Sequence, residues 1–493
     1  MRPFKSYQIS AFQTCKFIMK QKVIFSFLIF LFSYEASYSQ NYLITNTLRG
    51  NDSIAFTTLR YGRKDYGFGV ISSKGIMNWQ VPVPGYPLGM GKLNNNVVFF
   101  YTIEDPEALG PIKEVHAALI NLREKKITDD KVVYTKEDKY WFYPFILDDP
   151  QGNFAYLLIR TSALKGLLGN GFSQVRNKVN ETTGLRVISL ETNLEPHSKD
   201  LKSVVLESSF ASACVGMNND LYVSSLSNDQ LITEKFDSDA NLKGKLSTEA
   251  LVASKKEFFP LIKYDSLRGN CIDETIAYPN KHKDDVMRSF LFDFNDQKAT
   301  ATDEVVLDKS YAKQLEKATG QSSKLSNFKS INELYPIQIL ETADKVIVLK
   351  EIQYHFTPVG DDAERFYREG SIISIYSKKD MSAERDIVID KNLETFVRGS
   401  IGIYSELKNG KLYTVTCELT GPGTCKTYLY TVNINDGSME KRELKKADVG
   451  GGWITYPATV AWFSNNFITS FNSSKISFRM NFETDLQSEN YNK

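Results

Sequence analysis

The ionisable residues best suited to bind a ligand gather in one segment, directly after a histidine. His355 precedes a stretch that carries three acidic residues and two arginines. Arginine presents a planar fork of donors, so this segment could bind an anionic or polyhydroxyl ligand. A solvated loop without function is the alternative, because exposed ion pairs contribute little free energy. The charged residues of the segment are Asp361, Asp362, Glu364, Arg365 and Arg368.

Aromatic residues form a second group of candidates. Several of them precede a proline, and tryptophan stands near two of those pairs. An aromatic ring offers apolar area with a polar tip, so these residues could stack on a sugar or grip a peptide. The alternative is that they pack neighbouring structural units against each other. The candidate rim consists of Tyr86, Trp141, Tyr143, Tyr335, Trp453 and Tyr456.

Sequence motifs for metal or nucleophilic chemistry are missing from the chain. The four histidines, which are His116, His197, His282 and His355, do not form an HExxH or HxH spacing. We therefore expect no metal site and no cofactor. There is also no GxSxG, no P-loop and no GxGxxG before a helix. No catalytic residue can be named from the sequence.

The first 39 residues have the composition of a secretory signal peptide. Lys20 and Lys22 precede an apolar run at 23–32, and Ser39 supplies a small residue at the cleavage position. The run is too short to span a bilayer, although a retained N-terminal anchor is the alternative. We expect export to the periplasm or the extracellular space, with no membrane span in the mature chain.

The charge of the mature chain excludes one class of partner. The full sequence has 60 basic and 59 acidic residues and a formal charge of +1. The signal segment holds five basic residues and one acidic residue, so its removal leaves a charge of −3. A mildly acidic protein is a poor partner for nucleic acid.

Cysteine usage is consistent with export. Four of the five cysteines remain after the signal segment is removed, and an even number permits disulfides. In "CELTGPGTC" a glycine- and proline-rich turn separates Cys417 from Cys425. Such a turn folds two strands back and places the two cysteines nearly opposite each other, so they are a possible disulfide. Cys214 and Cys271 are expected to be either paired or buried thiols.

A repeated sequence pattern of turns and strands determines where these candidate residues lie in the fold. The chain repeatedly places a polar Asn/Gly turn before a strand-like run, as in "GKLNNNVVFF" at 91–100. Aromatic-proline pairs mark the first strand of several copies, where proline costs no ladder hydrogen bond. These pairs stand at Tyr86-Pro87, Tyr143-Pro144, Phe259-Pro260, Tyr335-Pro336 and Tyr456-Pro457. We count eight repeat-like segments, the last with only three strands.

Repeated four-stranded units without helical crossovers predict an all-β protein, a β-propeller of seven or eight four-stranded antiparallel blades. The ring would occupy residues 40–493 as a single domain. A short helical insertion is predicted near 308–334, where helix-forming residues interrupt the strands. In the seven-bladed version, the N- and C-terminal strands share one blade. Two separate β-sandwiches are the structural alternative.

The stretch "VISSKGIMNWQVPVPGYPLGMGKLNNNVVFFYT" resembles a blade of the secreted bacterial quinoprotein-like (PQQ/WD40-like) propellers. In that family a glycine-containing turn precedes a tryptophan-bearing outer strand, and a new inner strand then begins. The family includes cofactor-dependent dehydrogenases as well as scaffold and binding proteins. The resemblance implies the fold, and the cofactor motifs of the dehydrogenases are not found in this chain.

The lengths of the connections predict where function lies. In four blades the connection from the second to the third strand is enlarged, as in "RTSALKGLLGNGFSQVRNKVNETTG", whereas turns such as "LKNG" stay short. We therefore expect an exported, non-catalytic propeller that binds a protein or carbohydrate ligand on its long-loop face. The alternative is an extracellular polysaccharide hydrolase or lyase with acidic and histidine residues around the propeller axis. A structural scaffold is a third possibility.

Overall fold

The structure, a computed structural model, confirms the β-propeller. It describes residues 43–61, 65–74, 77–104, 112–137, 140–163, 182–202, 209–227, 229–249, 258–279, 285–319, 333–356, 365–395, 403–421, 424–444, 460–463, 466–470 and 476–481. The predicted signal segment 1–39 lies outside these residues. No helix in the described ranges has both the length and the apolar composition that crossing a bilayer requires.

Seven four-stranded antiparallel blades follow one another along the chain. Blade 1 contains β1 (Leu43–Arg49), β2 (Ile54–Arg60), β3 (Tyr66–Ser72) and β4 (Met77–Val83). Blade 2 contains β5 (Tyr86–Leu93), β6 (Asn96–Thr102), β7 (Glu114–Asn121) and β8 (Lys126–Thr135). Blade 3 contains β9 (Tyr140–Leu147), β10 (Ala155–Ala163), β11 (Thr182–Leu190) and β12 (Pro196–Asp200). Blade 4 contains β13 (Ser209–Val215), β14 (Leu221–Ser227), β15 (Gln230–Phe236) and β16 (Leu242–Glu249).

Of the last three blades, blades 5 and 6 each carry an added strand. Blade 5 contains β17 (Phe259–Asp265), β18 (Cys271–Pro279), β19 (Asp285–Asp293) and β20 (Lys298–Ala301), and β21 (Val305–Val306) pairs with β19. Blade 6 contains β22 (Leu334–Glu341), β23 (Lys345–Phe356), β24 (Arg365–Ser377) and β25 (Ala383–Ile389), and β26 (Leu393–Thr395) pairs with β24. Blade 7 contains β27 (Ile403–Lys408), β28 (Lys411–Gly421), β29 (Thr424–Asn433) and β30 (Met439–Leu444).

Burial explains why the strands of a blade differ in sequence. In the second strand of blade 1, "IAFTTLR", the five central residues are all buried, because neighbouring blades cover both faces of the sheet. The fourth strand, "MNWQVPV", alternates between exposed and partly buried residues, as an outer strand with one wet face should. The first strands are innermost: β5 contacts β9, β13 contacts β17, and β17 contacts β22.

A three-stranded sheet fills the position between blade 7 and blade 1. This closing sheet contains β31 (Ala461–Trp462), β32 (Asn466–Ser470) and β33 (Ile476–Asn481). Trp462 and Phe467 pack against Val415 and Leu429 of blade 7. On the other side, Ala461 and Phe463 join the apolar residues of blade 1. The ring therefore closes through side-chain packing on both faces of this sheet, and the two-sandwich alternative is wrong.

Polar turns join consecutive strands into tight hairpins, as the repeat predicts. Between β27 and β28 the turn residues Asn409 and Gly410 both have positive φ, at 49° and 71°. A two-residue type I′ hairpin requires positive φ at both positions, which asparagine and glycine adopt at low cost.

The predicted helical insertion is present as α1 (Lys309–Thr319). Asp308 caps it, since its Oδ1 accepts a hydrogen bond of 2.8 Å from the backbone NH of Tyr311. The apolar face of α1, with Ala312 and Leu315, packs on residues of blades 5 and 6, including Ile352. The rest of the predicted insertion lies outside the described residues.

Candidate functional site

One end of the propeller carries the enlarged connections. Because the strands of each blade alternate in direction, every connection from a second to a third strand emerges at the same end. The strand bounds leave residues 103–113, 164–181 and 357–364 in three long connections of this kind. The fourth connection predicted to be enlarged, at 280–284, is no longer than 266–270 at the opposite end, so that prediction is wrong. At the opposite end, β5 and β6 are joined by residues 94–95 alone. We call the two ends the long-loop face and the short-turn face.

A hairpin of blade 6 projects on the long-loop face. The innermost strand β22 pairs with β23 only as far as Leu334 and Ile352, but β23 continues to pair with β24 as far as Phe356 and Arg365. Four residues of β23 thus extend past β22, about 13 Å at the rise of a strand. We call residues 353–356 with 365–368 the projecting hairpin. His355 lies at its tip, opposite Phe366, and the side chains of His355 and Arg365 lie outside the described set.

A buried ion pair anchors the base of this hairpin. Lys391, in the bend between β25 and β26, donates a hydrogen bond from Nζ to Glu351 Oε1 and a second, of 3.2 Å, to the carbonyl oxygen of Arg368. Gln353 Nε2 donates to the other Glu351 oxygen at 2.8 Å. The exposed fractions of Lys391 and Glu351 are 2% and 0%. A buried pair that is fully hydrogen-bonded fixes the geometry of the strands that carry it.

Arg368 takes part in the same anchor. It is buried, and its Nη1 donates to the Tyr367 carbonyl oxygen at 2.8 Å. Burial lowers the pKa of Arg368, and the neighbouring Glu351 carboxylate opposes that change. Tyr335 lies opposite Glu351 in the β22–β23 ladder. The structure thus brings the predicted residues Arg368 and Tyr335 together around Glu351, inside blade 6.

Aromatic residues at the starts of inner strands contact the neighbouring blade. The ring of Tyr86 lies 5.3 Å from that of Tyr66 in blade 1, edge to face. The ring of Tyr335 is buried, 4.0 Å from the ring of Phe259 in blade 5. These contacts are the ones that the packing interpretation of the aromatic-proline pairs requires.

Tyr143 is placed in a similar way in blade 3. The guanidinium carbon of Arg160 lies 5.5 Å from the Tyr143 ring and 5.9 Å from the ring of Phe210 in blade 4. Tyr86 and Tyr143 are on blades 2 and 3, so they are not gathered with the residues of blade 6. Trp453 and Tyr456 lie outside the described residues, as does the side chain of Trp141.

The predicted disulfide falls on a described ladder. In β28–β29, Cys417 is opposite Thr427 and Leu419 is opposite Cys425. The two cysteines are therefore diagonal neighbours on one face of the hairpin, which is farther apart than the direct opposition that the turn predicted. Their side chains lie outside the described set, and the bridge stays a prediction.

Buried thiols give a prediction that mass spectrometry can check. Burial raises the pKa of Cys271 to about 12 and also raises the pKa of Cys214. Cys271 is buried, whereas Cys214 is only partly buried. Because the thiolate is the reactive form, we expect iodoacetamide at pH 8 to leave Cys271 unlabelled in the folded protein and to label both cysteines in urea. Peptide mapping reads out each cysteine separately. Labelling of Cys271 in the folded protein would contradict its placement.

Sequence reasoning missed a group of charges on the innermost strands near the short-turn face. Arg49 Nη1 of blade 1 lies 3.3 Å from Glu406 Oε1 of blade 7, and Lys263 Nζ of blade 5 lies 3.4 Å from Glu341 Oε1 of blade 6. Burial raises the pKa of Glu406, and Arg49 opposes this most strongly. Among the residues that the structure describes, no histidine takes part in these ion pairs. In the sequence, these ion pairs could have been found only from charged residues near the ends of the first strands of the repeats.

Comparisons with known proteins show no family for this chain. No family model matches the chain, and no curated protein matches it. Solved structures that resemble it include the β-propeller domain of the Trilobed protease from Pyrococcus furiosus, at 11% identity and a TM-score of 0.35. That similarity covers 83% of this chain and 100% of the domain.

Two other solved structures are similar to the same degree. A protein from Lactobacillus plantarum has 10% identity and a TM-score of 0.39, over 84% of this chain and 96% of its own. A structure of prolyl endopeptidases has 9% identity and a TM-score of 0.43, and the similarity covers 91% of this chain but 56% of the endopeptidase chain. At these TM-scores the likenesses say nothing about activity.

Proposed function

We propose that the mature chain is an exported, non-catalytic β-propeller that binds a protein or glycan ligand on its long-loop face. Export rests on the signal-like residues 1–39. Kinship with the quinoprotein-like propellers is proposed for the fold alone, without their cofactor. Nucleic acid is not among the proposed partners.

The observation that carries the proposal is the buried anchor of the projecting hairpin. Desolvating Glu351 and Lys391 costs several kcal/mol per ion, and the pair recovers it only with good geometry. A chain that needed only a stable blade would obtain it from apolar residues at the same positions. The anchor fixes the strands at the base of the hairpin, which lowers the entropy lost when a ligand binds to them.

The test is a glycan and peptide array probed with residues 40–493 and with two matched variants. The double substitution His355→Ala and Arg365→Ala removes the polar tip of the projecting hairpin. Lys411→Ala changes an exposed residue on the short-turn face and serves as the control. We expect the double variant to lose at least about tenfold in affinity for the strongest array probe, roughly 1.4 kcal/mol, and the control to bind as the unaltered protein does.

Equal binding by all three proteins would contradict the proposed face. So would the absence of any bound probe on either array.

A second candidate function is that of a polysaccharide hydrolase or lyase with its site at the propeller axis, and one observation favours it. Glu406 lies on an innermost strand, and its raised pKa favours the protonated form that a general acid needs. Release of new reducing ends from polysaccharides, lost in Glu406→Gln, would support it. No release from any polysaccharide tested would leave the binding function as the better account.

A further inference from the structure

Three carboxylates meet between blade 5 and blade 6, near the short-turn face. Asp265 ends β17, Asp273 lies in β18, and Glu341 ends β22. One oxygen from each of the three lies within 4.8 Å of the others. Two blades therefore supply acidic groups to one small volume, although the residues are far apart in the sequence.

Asp273 and Glu341 are left without the hydrogen bonds that a buried carboxylate needs. Asp273 is 0% exposed, and neither of its side-chain oxygens has a hydrogen-bond donor among the described residues. Glu341 Oε1 is also buried and accepts no hydrogen bond there, although the Lys263 ammonium group lies 3.4 Å from it. Buried polar atoms are nearly always satisfied, and an orphaned charged group costs more than an orphaned neutral one. The unpaired oxygens of Asp273 point to a bound group that donates to them or carries positive charge.

Asp265 differs from the other two because its partners lie within the protein. Its Oδ1 accepts hydrogen bonds from the backbone NH groups of Leu267 and Arg268, at 3.0 and 3.1 Å. Lys378 Nζ donates to its Oδ2. The same ammonium group is 3.9 Å from Glu341 Oε2, too far for a hydrogen bond. Lys378 is thus committed to Asp265.

The charges of the cluster do not balance. Three ionised carboxylates and Lys378 carry a net charge of −2, and Lys263, whose side chain is 39% exposed and whose Nζ is 3.4 Å from Glu341 Oε1, reduces it to −1. Burial raises the pKa of Asp273 and that of Glu341.

We propose that Asp273 and Glu341, with Asp265, bind a divalent cation of the Ca²⁺ class and thereby join blade 5 to blade 6. All three donors are carboxylate oxygens, which hard cations prefer, and the cluster contains no thiolate or imidazole that would select zinc. Ca²⁺ accepts irregular oxygen geometry, whereas Mg²⁺ demands a near-ideal octahedron. With Lys378 in place, one divalent ion balances the three carboxylates, and the partly exposed Lys263 is not needed for that balance.

The experiment uses residues 40–493 dialysed against EDTA and then against buffer at pH 8, where protons compete least. Titration with CaCl₂ is followed by calorimetry and by the melting temperature. We expect one Ca²⁺ per chain and a rise in melting temperature of about 2–5 °C at saturation, because a ligand that binds only the folded state stabilises it.

Matched variants locate the site. Asp273→Asn and Glu341→Gln each keep side-chain volume and remove one ligand charge, so both should lose the calcium-dependent rise. Asp436→Asn alters an exposed carboxylate of a short-turn-face hairpin in blade 7 and should keep it. Two variants are used so that a failure of one to fold leaves the other, with circular dichroism as the check.

No heat of binding and no shift in melting temperature at millimolar CaCl₂ would overturn the proposal, and so would a shift that persists in both variants. Because this cluster is on the short-turn face, its failure would not bear on ligand binding at the long-loop face.

Discussion

Lys391→Met should lower the free energy of unfolding by about 3–5 kcal/mol, because it leaves the Glu351 carboxylate buried without its cation. Both side chains are 0% exposed, so water cannot replace the lost partner. The substitution also removes the hydrogen bond to the Arg368 carbonyl oxygen. Urea unfolding followed by tryptophan fluorescence gives the change in free energy.

The control is the double variant Glu351→Leu and Lys391→Met, which removes both charges together. Replacing a buried ion pair by apolar residues of similar volume is often neutral or stabilising. Because buried Arg368 also loses the neighbouring Glu351 carboxylate, part of the lost stability should return. A loss below about 1 kcal/mol in the single variant would show that the pair is solvated, since exposed pairs are worth no more than that. That result would remove the anchor of the projecting hairpin.

Phe467→Ala should lower the free energy of unfolding by about 3–5 kcal/mol through the cavity it creates. Phe467 is fully buried in the closing sheet, 4.9 Å from the ring of Trp462 and packed on blade 7. The loss falls on the contact that closes the ring, so unfolding should begin at lower urea concentration.

Ile103→Ala is the control for this variant, because it also shortens an apolar residue but at a position that is 65% exposed. Surface substitutions of this kind change stability by no more than about 0.5 kcal/mol. If Phe467→Ala and Ile103→Ala unfold alike, the closing sheet does not hold blade 7 to blade 1.

The repeated architecture could be predicted from local sequence. Asn409-Gly410 specifies a tight hairpin through backbone conformation alone, and Tyr335-Pro336 marks an inner strand because proline fits its first positions. Each of these signals spans only two residues, so the turn or strand that it indicates can be predicted without knowledge of how the blades pack. The aromatic-proline pairs mark five of the eight segments, including the short last one.

The contacts between distant segments could not be predicted in this way. Glu351 and Lys391 are 40 residues apart, and Asp273 meets Glu341 only because blades 5 and 6 pack together. A repeat fixes which residues lie in strands but leaves the register between blades open. The search for metal ligands looked for local histidine spacing, and the carboxylate cluster has no local spacing to find.

The prediction for Arg368 shows the same limit. The segment before it carries Asp361, Asp362, Glu364 and Arg365, which is typical of a solvated loop. The structure buries it because β24 extends to Arg365 and β26 covers that extension from the outer side. Strand length beyond the blade is a property of pairing, and the sequence pattern does not specify it.

The most direct test of ligand binding on the long-loop face is hydrogen–deuterium exchange on residues 40–493, with and without the strongest array probe. Binding there should slow exchange at residues 353–356 and 365–368 and leave the short turn at 409–410 unchanged. Slower exchange confined to 409–410 and the inner-strand ends near Glu406, with the projecting hairpin unaffected, would contradict it.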